Sequence, residues 1–272
     1  MPDDSIRRWS SLSPAERSAA AARDPVVVLP LAATEQHGPH LPASTDLDIG
    51  SGLLAEAFLR LPAEADVWAL SPVAIGASRE HAHLKGTESV SSEELIRTIY
   101  DQGAEVARSG VRRLVLSNSH GGNRHAMEVA GLSLRADHGM LVVKASYFRF
   151  PRPQDVDLPE SEWLHGLHGG AVETAMMLHL EPGRVRVEAL ADFPSLGAEL
   201  EGTLRVLGPE GQASFAWLAD DLNPRGVVGD ARLATPLMGA RLVAHYGRVL
   251  AEVILDARDF PIDRLGHPSR AP

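Results

Sequence analysis

An apolar run at residues 26–31, VVVLPL, leads straight into a segment that neither a strand nor a helix can continue. Within residues 29–46, LPLAATEQHGPHLPASTD, Gly38, Pro39 and Pro42 interrupt both kinds of regular backbone. A buried strand must end here, and the chain must turn at its carboxyl end. The pattern then recurs. Residues 47–61 place Leu53, Leu54, Ala57 and Phe58 at helical spacing, and residues 67–73 are strand-like. Ser91 and Glu94 form a capping box for a helix whose Leu95, Ile99 and Val106 share one face until Gly110. Residues 112–118 are another apolar strand, entering the turn SHGGN and a helix to about Asp137, and residues 140–145 are a further strand. Strand and helix in alternation specify a parallel sheet covered on both faces. The expected fold is therefore α/β, a three-layer αβα sandwich with a mainly parallel central sheet. Ligands in such a sheet belong beyond the carboxyl ends of its strands.

Outside this alternation, residues 1–24 are a polar lead-in with a short helix over 13–22, which Ser13 caps and Pro14 opens. Residues 151–169, rich in Pro, Asp and Glu, read as loop, and 170–180 as a nearly all-apolar helix. Residues 182–230 show no period and carry Phe193, Phe215, Trp217 and Leu218; they are expected to be an excursion near the pocket or an oligomer contact. Thr235 and Pro236 open a long helix with Val243, Tyr246, Leu250 and Val253 on one stripe, ending near Arg258. A single domain over residues 1–272 accommodates all of this.

Composition narrows the chemistry. With 26 basic against 36 acidic residues, a net charge of -10 gives no basis for a nucleic-acid or anionic-membrane partner, so small-molecule substrates are expected. No run approaches the roughly 18 apolar residues of a membrane span, and the N-terminus has no signal-like core, so a cytoplasmic location is expected. The chain has no cysteine, which excludes thiolate catalysis and Cys-type zinc sites. Any metal must be held by His, Asp and Glu.

Such groups gather at the predicted strand ends. Glu35, His37, His40 and Asp46 share one stiff loop, and this mixture of oxygen and nitrogen donors suits a divalent ion. His120 stands where a strand meets a glycine turn, the natural place for a further imidazole ligand, although HGGN also suits an anion-binding turn at a helix N-terminus. Glu173 shares a helix face with Met176, Met177 and Leu180. Burial there costs a carboxylate several kcal/mol, against about 0.3–1 kcal/mol from the helix dipole, so a cation must meet it, either a metal or an arginine. The loop carrying Glu80, His81 and His83 is within reach of the same place. Other chemistries lack their signatures: there is no G-x-G-x-x-G, no G-x-x-x-x-G-K-[ST] and no G-x-S-x-G.

Three pieces, EQHGPHLP with Thr45-Asp46, NSHGGN at 118–123 and HGGAVET at 168–174, together resemble the creatininase family of metal-dependent amidohydrolases. The resemblance implies that Glu35, His37 and Asp46 ligate metal with Asp46 bridging two ions, that His120 is a further ligand, and that the chain forms a homo-oligomer such as a hexamer. The family member that opens creatinine carries Tyr and Glu where this chain has Gly121 and Gly122, which makes creatinine a poor candidate substrate. Glu173 then stands as the replacement carboxylate for the second ion, or else one ion binds tightly. Two divalent ions, Zn, Mn or Fe, would activate water for cleavage of an amide or cyclic amide, with His168 and Glu173 as catalytic residues and His168 passing the proton to the leaving nitrogen. A structural role for His168, and a metal-retaining binding or regulatory module without turnover, are the competing readings.

Overall fold

The computed structural model describes residues 6–266, so residues 1–5 of the polar lead-in lie outside the described residues. Ser13 caps α1 (Pro14–Ala21) through the backbone N–H of Glu16. The chain then alternates as β1 (Val26–Leu31), α2 (Thr45–Arg60), β2 (Val67–Ala69), α3 (Ser92–Arg108), β3 (Arg113–Asn118), α4 (Arg124–His138) and β4 (Leu141–Ser146). These strands form a four-stranded sheet of order β2-β1-β3-β4 with every pair parallel.

The two-residue period of β1 sorts its side chains between two cores. Val27, Leu29 and Leu31 pack with α1, α3 and α4, whereas Val26 and Val28 pack with α2 and α9 (Pro236–Asp259). All five are at most 1% exposed, and each fully buried aliphatic side chain contributes about 1.5–3 kcal/mol. Helices on both faces leave β1 and β3 central, so the loops after them open at the same edge. This is the topology expected from the apolar runs.

Three boundaries differ from the sequence expectation. The α2 helix begins at Thr45, so Asp46 lies in its first turn and not on the preceding loop. Asp is favoured at a helix N-terminus, where free N–H groups and the helix dipole offset its charge. The second strand stops at Ala69, and Val73 keeps only an isolated bridge to Leu31. Within residues 151–169 the chain forms a short helix, α5 (Glu160–His165), before α6 (Ala171–Leu180).

The excursion at 182–230 is made of small pieces: β5 (Asp192–Phe193), α7 (Leu196–Leu200), β6 (Leu207–Gly208), β7 (Ala213–Ser214), α8 (Ala219–Leu222) and β8 (Gly229–Asp230). Phe193 is buried there against the ring of His40, so it is not available for an oligomer contact. No described helix is long and apolar enough to cross a membrane.

The α6 helix packs on α9 and α2, which themselves cover one face of the sheet, and Gly239 sets how closely α6 approaches α9. A Cβ on Gly239 would lie 1.8 Å from the carbonyl oxygen of Ala175 in α6. Alanine gains about 1 kcal/mol of helix propensity, but separating two packed helices costs about 1–3 kcal/mol or more. Gly239→Ala is therefore expected to lower unfolding free energy in urea titration; an unchanged or raised midpoint would refute this packing account.

Candidate metal centre

The loops after β1 and β3, the start of α2 and the start of α6 bring Glu35, His37, Asp46, His120, His168 and Glu173 together. Glu35, His37, Asp46 and His120 are each at most 4% exposed. Three of the imidazoles are pinned by main-chain carbonyls, which can only accept. His37 Nδ1 lies 3.0 Å from the Glu35 carbonyl, His168 Nε2 lies 2.8 Å from that of Gln36, and His120 Nε2 lies 3.2 Å from that of Ala77. Each ring carries its proton there and turns its other, bare nitrogen inward.

Those bare nitrogens face carboxylates. His37 Nε2 is 3.3 Å from Asp46 Oδ1 and 3.7 Å from Glu173 Oε2. His120 Nδ1 is 3.1 Å from Asp46 Oδ2 and 3.2 Å from Glu35 Oε1, which is also 3.5 Å from His168 Nδ1. Lone pairs thus confront lone pairs at close range, which requires a proton or a cation between them. Both oxygens of Glu35, Oδ2 of Asp46 and Nε2 of His37 are buried without a hydrogen-bond partner. Donor atoms of Glu35, His37 and His168, of Glu35, Glu80 and His120, and of His37, Asp46 and Glu173 each lie within 4.8 Å of one another. The donor set therefore fits divalent metal, with Asp46 presenting one oxygen to each side.

Without metal, protons fill the gap. Burial drives His37 and His120 down, but Asp46 and Glu173 outweigh it and hold His37 at about 9, while Glu35 and Asp46 hold His120 well above its usual range. Burial raises Glu35 and Asp46, yet the histidines facing them bring both below ordinary carboxylate values. His168 is lowered by burial and by His37.

The other residues sort clearly. Glu173 meets no arginine: it accepts from Gly169 N–H at 2.7 Å and from the Tyr147 hydroxyl at 3.3 Å. His40 turns away from the centre. Its Nε2 donates to Gly169 O at 2.9 Å, bracing the turn before α6, and burial lowers it to about 4. In HGGN, Asn123 is structural, its amide bonded to Ala77 N, Ala32 O and Asn118. His83 pairs with Asp220 outside the site.

Three residues were not assigned from the sequence. His81 stacks on His168 with ring centroids 4.2 Å apart and places Nε2 3.7 Å from Glu35. Burial and His168 push it down to about 2. Glu80 is drawn to the centre by the same loop, and Ala219 N–H of α8 donates to its carbonyl at 3.0 Å. Glu162, 6% exposed, accepts from Ala171 N and Asp230 N, tying α5 to the start of α6. The EH pair at 80–81 was the visible signal; Glu162 had none.

Above the centre lies a cavity of about 750 Å³. Tyr147, Phe148, Trp163, Leu204, Val206 and Trp217 supply much of its apolar wall.

A family model described as Creatininase: Creatinine amidohydrolase matches residues 10–254. A mycofactocin precursor peptide peptidase of Mycobacterium tuberculosis is 33% identical over 239 residues, covering 86% of this chain and 86% of that protein. A creatinine amidohydrolase of Pseudomonas putida is 33% identical over 190 residues, 64% of this chain and 71% of that protein. Among solved structures, one described as creatininase Mn superposes with a TM-score of 0.75 at 25% identity, over 94% of this chain and 99% of that one.

The protonation pattern sets a pH window for the metal-free protein. His37 and His120 are raised above their unfolded value of 6.5, so their contribution is full below 6.5 and lost as pH rises through about 9 for His37. His40, His81 and His168 are lowered, so theirs is full above 6.5 and lost as pH falls. The melting temperature of chelator-treated protein should peak near pH 6.5 and fall on both sides, on the alkaline side as pH approaches about 9; a maximum below about pH 5.5 or above about pH 8 would contradict this assignment.

Proposed function

The chain belongs to the creatininase family and is a hydrolase of amide C–N bonds; from this we propose that it works with two divalent ions, Zn, Mn or Fe, on an amide larger than creatinine. The residues that would hold the ions are His37, Asp46 and Glu173 on one side and Glu35, Asp46 and His120 on the other. When bound, such ions lower the pKa of water and polarise a carbonyl.

The protein's own groups manage the protons. His168 is neutral at pH 7, its Nε2–H fixed on the Gln36 carbonyl and its Nδ1 bare beside Glu35. It is thus set to take a proton at Nδ1 from the attacking water and return it to the leaving nitrogen. His37 and His81 flank its ring at 4.1 and 4.2 Å between centroids and keep it from rotating away. Glu173 is oriented by Gly169 N–H and Tyr147 OH, so its carboxylate approaches His37 in one direction.

The cavity carries the substrate reading. Its volume of about 750 Å³ lies in the range that buries a drug-sized ligand, far beyond one five-membered ring, and its apolar wall favours a substrate with a hydrophobic body. A peptide end has this size and an amide to cleave, and the relative named as a precursor peptide peptidase is similar over most of the chain. No observation favours a binding module without turnover.

The excursion also exposes Val206, Leu207 and Leu218, and on that ground a homo-oligomer is proposed. Sedimentation should show a species above 29.2 kDa at micromolar concentration; monomer alone would reject assembly.

With Mn or Zn supplied, short peptide amides should be cleaved with kcat/KM at least ~100-fold above creatinine. The reverse order would overturn the substrate reading. Asp46→Asn should leave a folded protein that has lost metal, with turnover down by roughly three orders of magnitude or more. Retained metal and near-normal rate would show that Asp46 is not shared by the two sides.

A further inference from the structure

Glu80 lies on the loop between β2 and α3, far in sequence from the other carboxylates of the centre. Its side chain is 21% exposed, facing the cavity, with Oε1 3.5 Å from Nε2, the outer nitrogen of His120. Donor atoms of Glu35, Glu80 and His120 fall within 4.8 Å of one another, and Glu35 contributes two buried oxygens without hydrogen-bond partners.

Gly122 explains how Glu80 gets there. A Cβ built on Gly122 would lie 2.7 Å from Glu80 Oε1, 2.6 Å from His120 Nε2 and 2.2 Å from the Ala77 carbonyl oxygen. The side chain missing at position 122 therefore leaves the volume that the Glu80 carboxylate enters. No carboxylate at 122 fits this backbone, because the Ala77 contact involves main chain and cannot yield cheaply. The loop is held in place from behind, by Ala219 N–H on the Glu80 carbonyl and by His83 on Asp220 at 2.9 Å.

Resting on the metal reading above, we propose that Glu80 is an additional metal ligand, supplying a carboxylate from the β2–α3 loop, besides Glu173 on the other side, and closing the Glu35–His120 side of the centre towards the cavity. A hard divalent cation such as Mn suits a side so rich in carboxylate oxygen. A purely structural role would need the Glu80 side chain to brace the fold. Instead its nearest charged partner is a residue of the centre itself, and it stands beside the like charges of Glu35 and Asp46.

The test uses the full chain, stripped with chelator and titrated with Mn or Zn while metal affinity and melting temperature are followed. Glu80→Gln keeps the shape but weakens a ligand, and Glu80→Ala removes it. Both should weaken uptake of one ion by ~10-fold or more, with a smaller metal-induced rise in melting temperature. The metal-free melting temperature should equal or exceed that of wild type, because burial disfavours the charged carboxylate that is gone. Wild-type affinity in both variants would overturn the proposal, as would a metal-free melting temperature lowered by as much as that of the loaded protein. If wild type takes up no metal, the metal reading fails together with this one, whereas wild-type uptake with unaffected variants removes Glu80 alone.

Discussion

Glu35 and Asp46 are 1% and 2% exposed, and neither is paired with an arginine or lysine among the described residues. Burying a carboxylate costs several kcal/mol unless something positive meets it, and here only imidazoles do. Much of the local architecture serves that requirement. Main-chain carbonyls fix the protons of His37, His120 and His168 on their outer nitrogens, so the inner ones are free to share a cation. In the absence of metal the inner nitrogens of His37 and His120 take up protons, which stabilises the metal-free centre but makes protons compete with metal for the same positions.

The sheet makes the arrangement possible. β1 and β3 are adjacent and in parallel register over their full lengths, pairing Leu31 with Asn118, so the loops that follow them emerge side by side. Glu35 and His120, distant in sequence, become neighbours for that reason. α2 and α6 then start at the same edge and deliver Asp46 and Glu173 from their first turns, where a helix tolerates negative charge.

Much of this was legible in the chain. Long apolar runs gave β1, β3 and β4, and the Ser13–Pro14 cap and the Ser91–Glu94 capping box gave the starts of α1 and α3, because those signals are local. Glu35, His37 and His120 could be placed at strand ends by the same means. His40 could not be told apart from them: Gly38 adopts φ +72, and the turn it makes sends His40 to the far side. The α5 helix went unseen because six residues carry less than two full turns of any period, and its Glu162 is held by backbone groups from remote segments. The excursion at 182–230 was legible only as irregular, since its strands of two residues cannot show alternation.

The hydrogen bond from Ala219 to the Glu80 carbonyl joins the excursion, which lends Trp217 to the cavity wall, to the loop that carries Glu80 and His81 into the same cavity. The excursion and the loop that carries Glu80 and His81 are thereby tied to each other through the backbone. Whatever free energy couples the two must act in both directions. A ligand in the cavity and a metal at the centre, if coupled through this contact, would each change the other's affinity by the same factor.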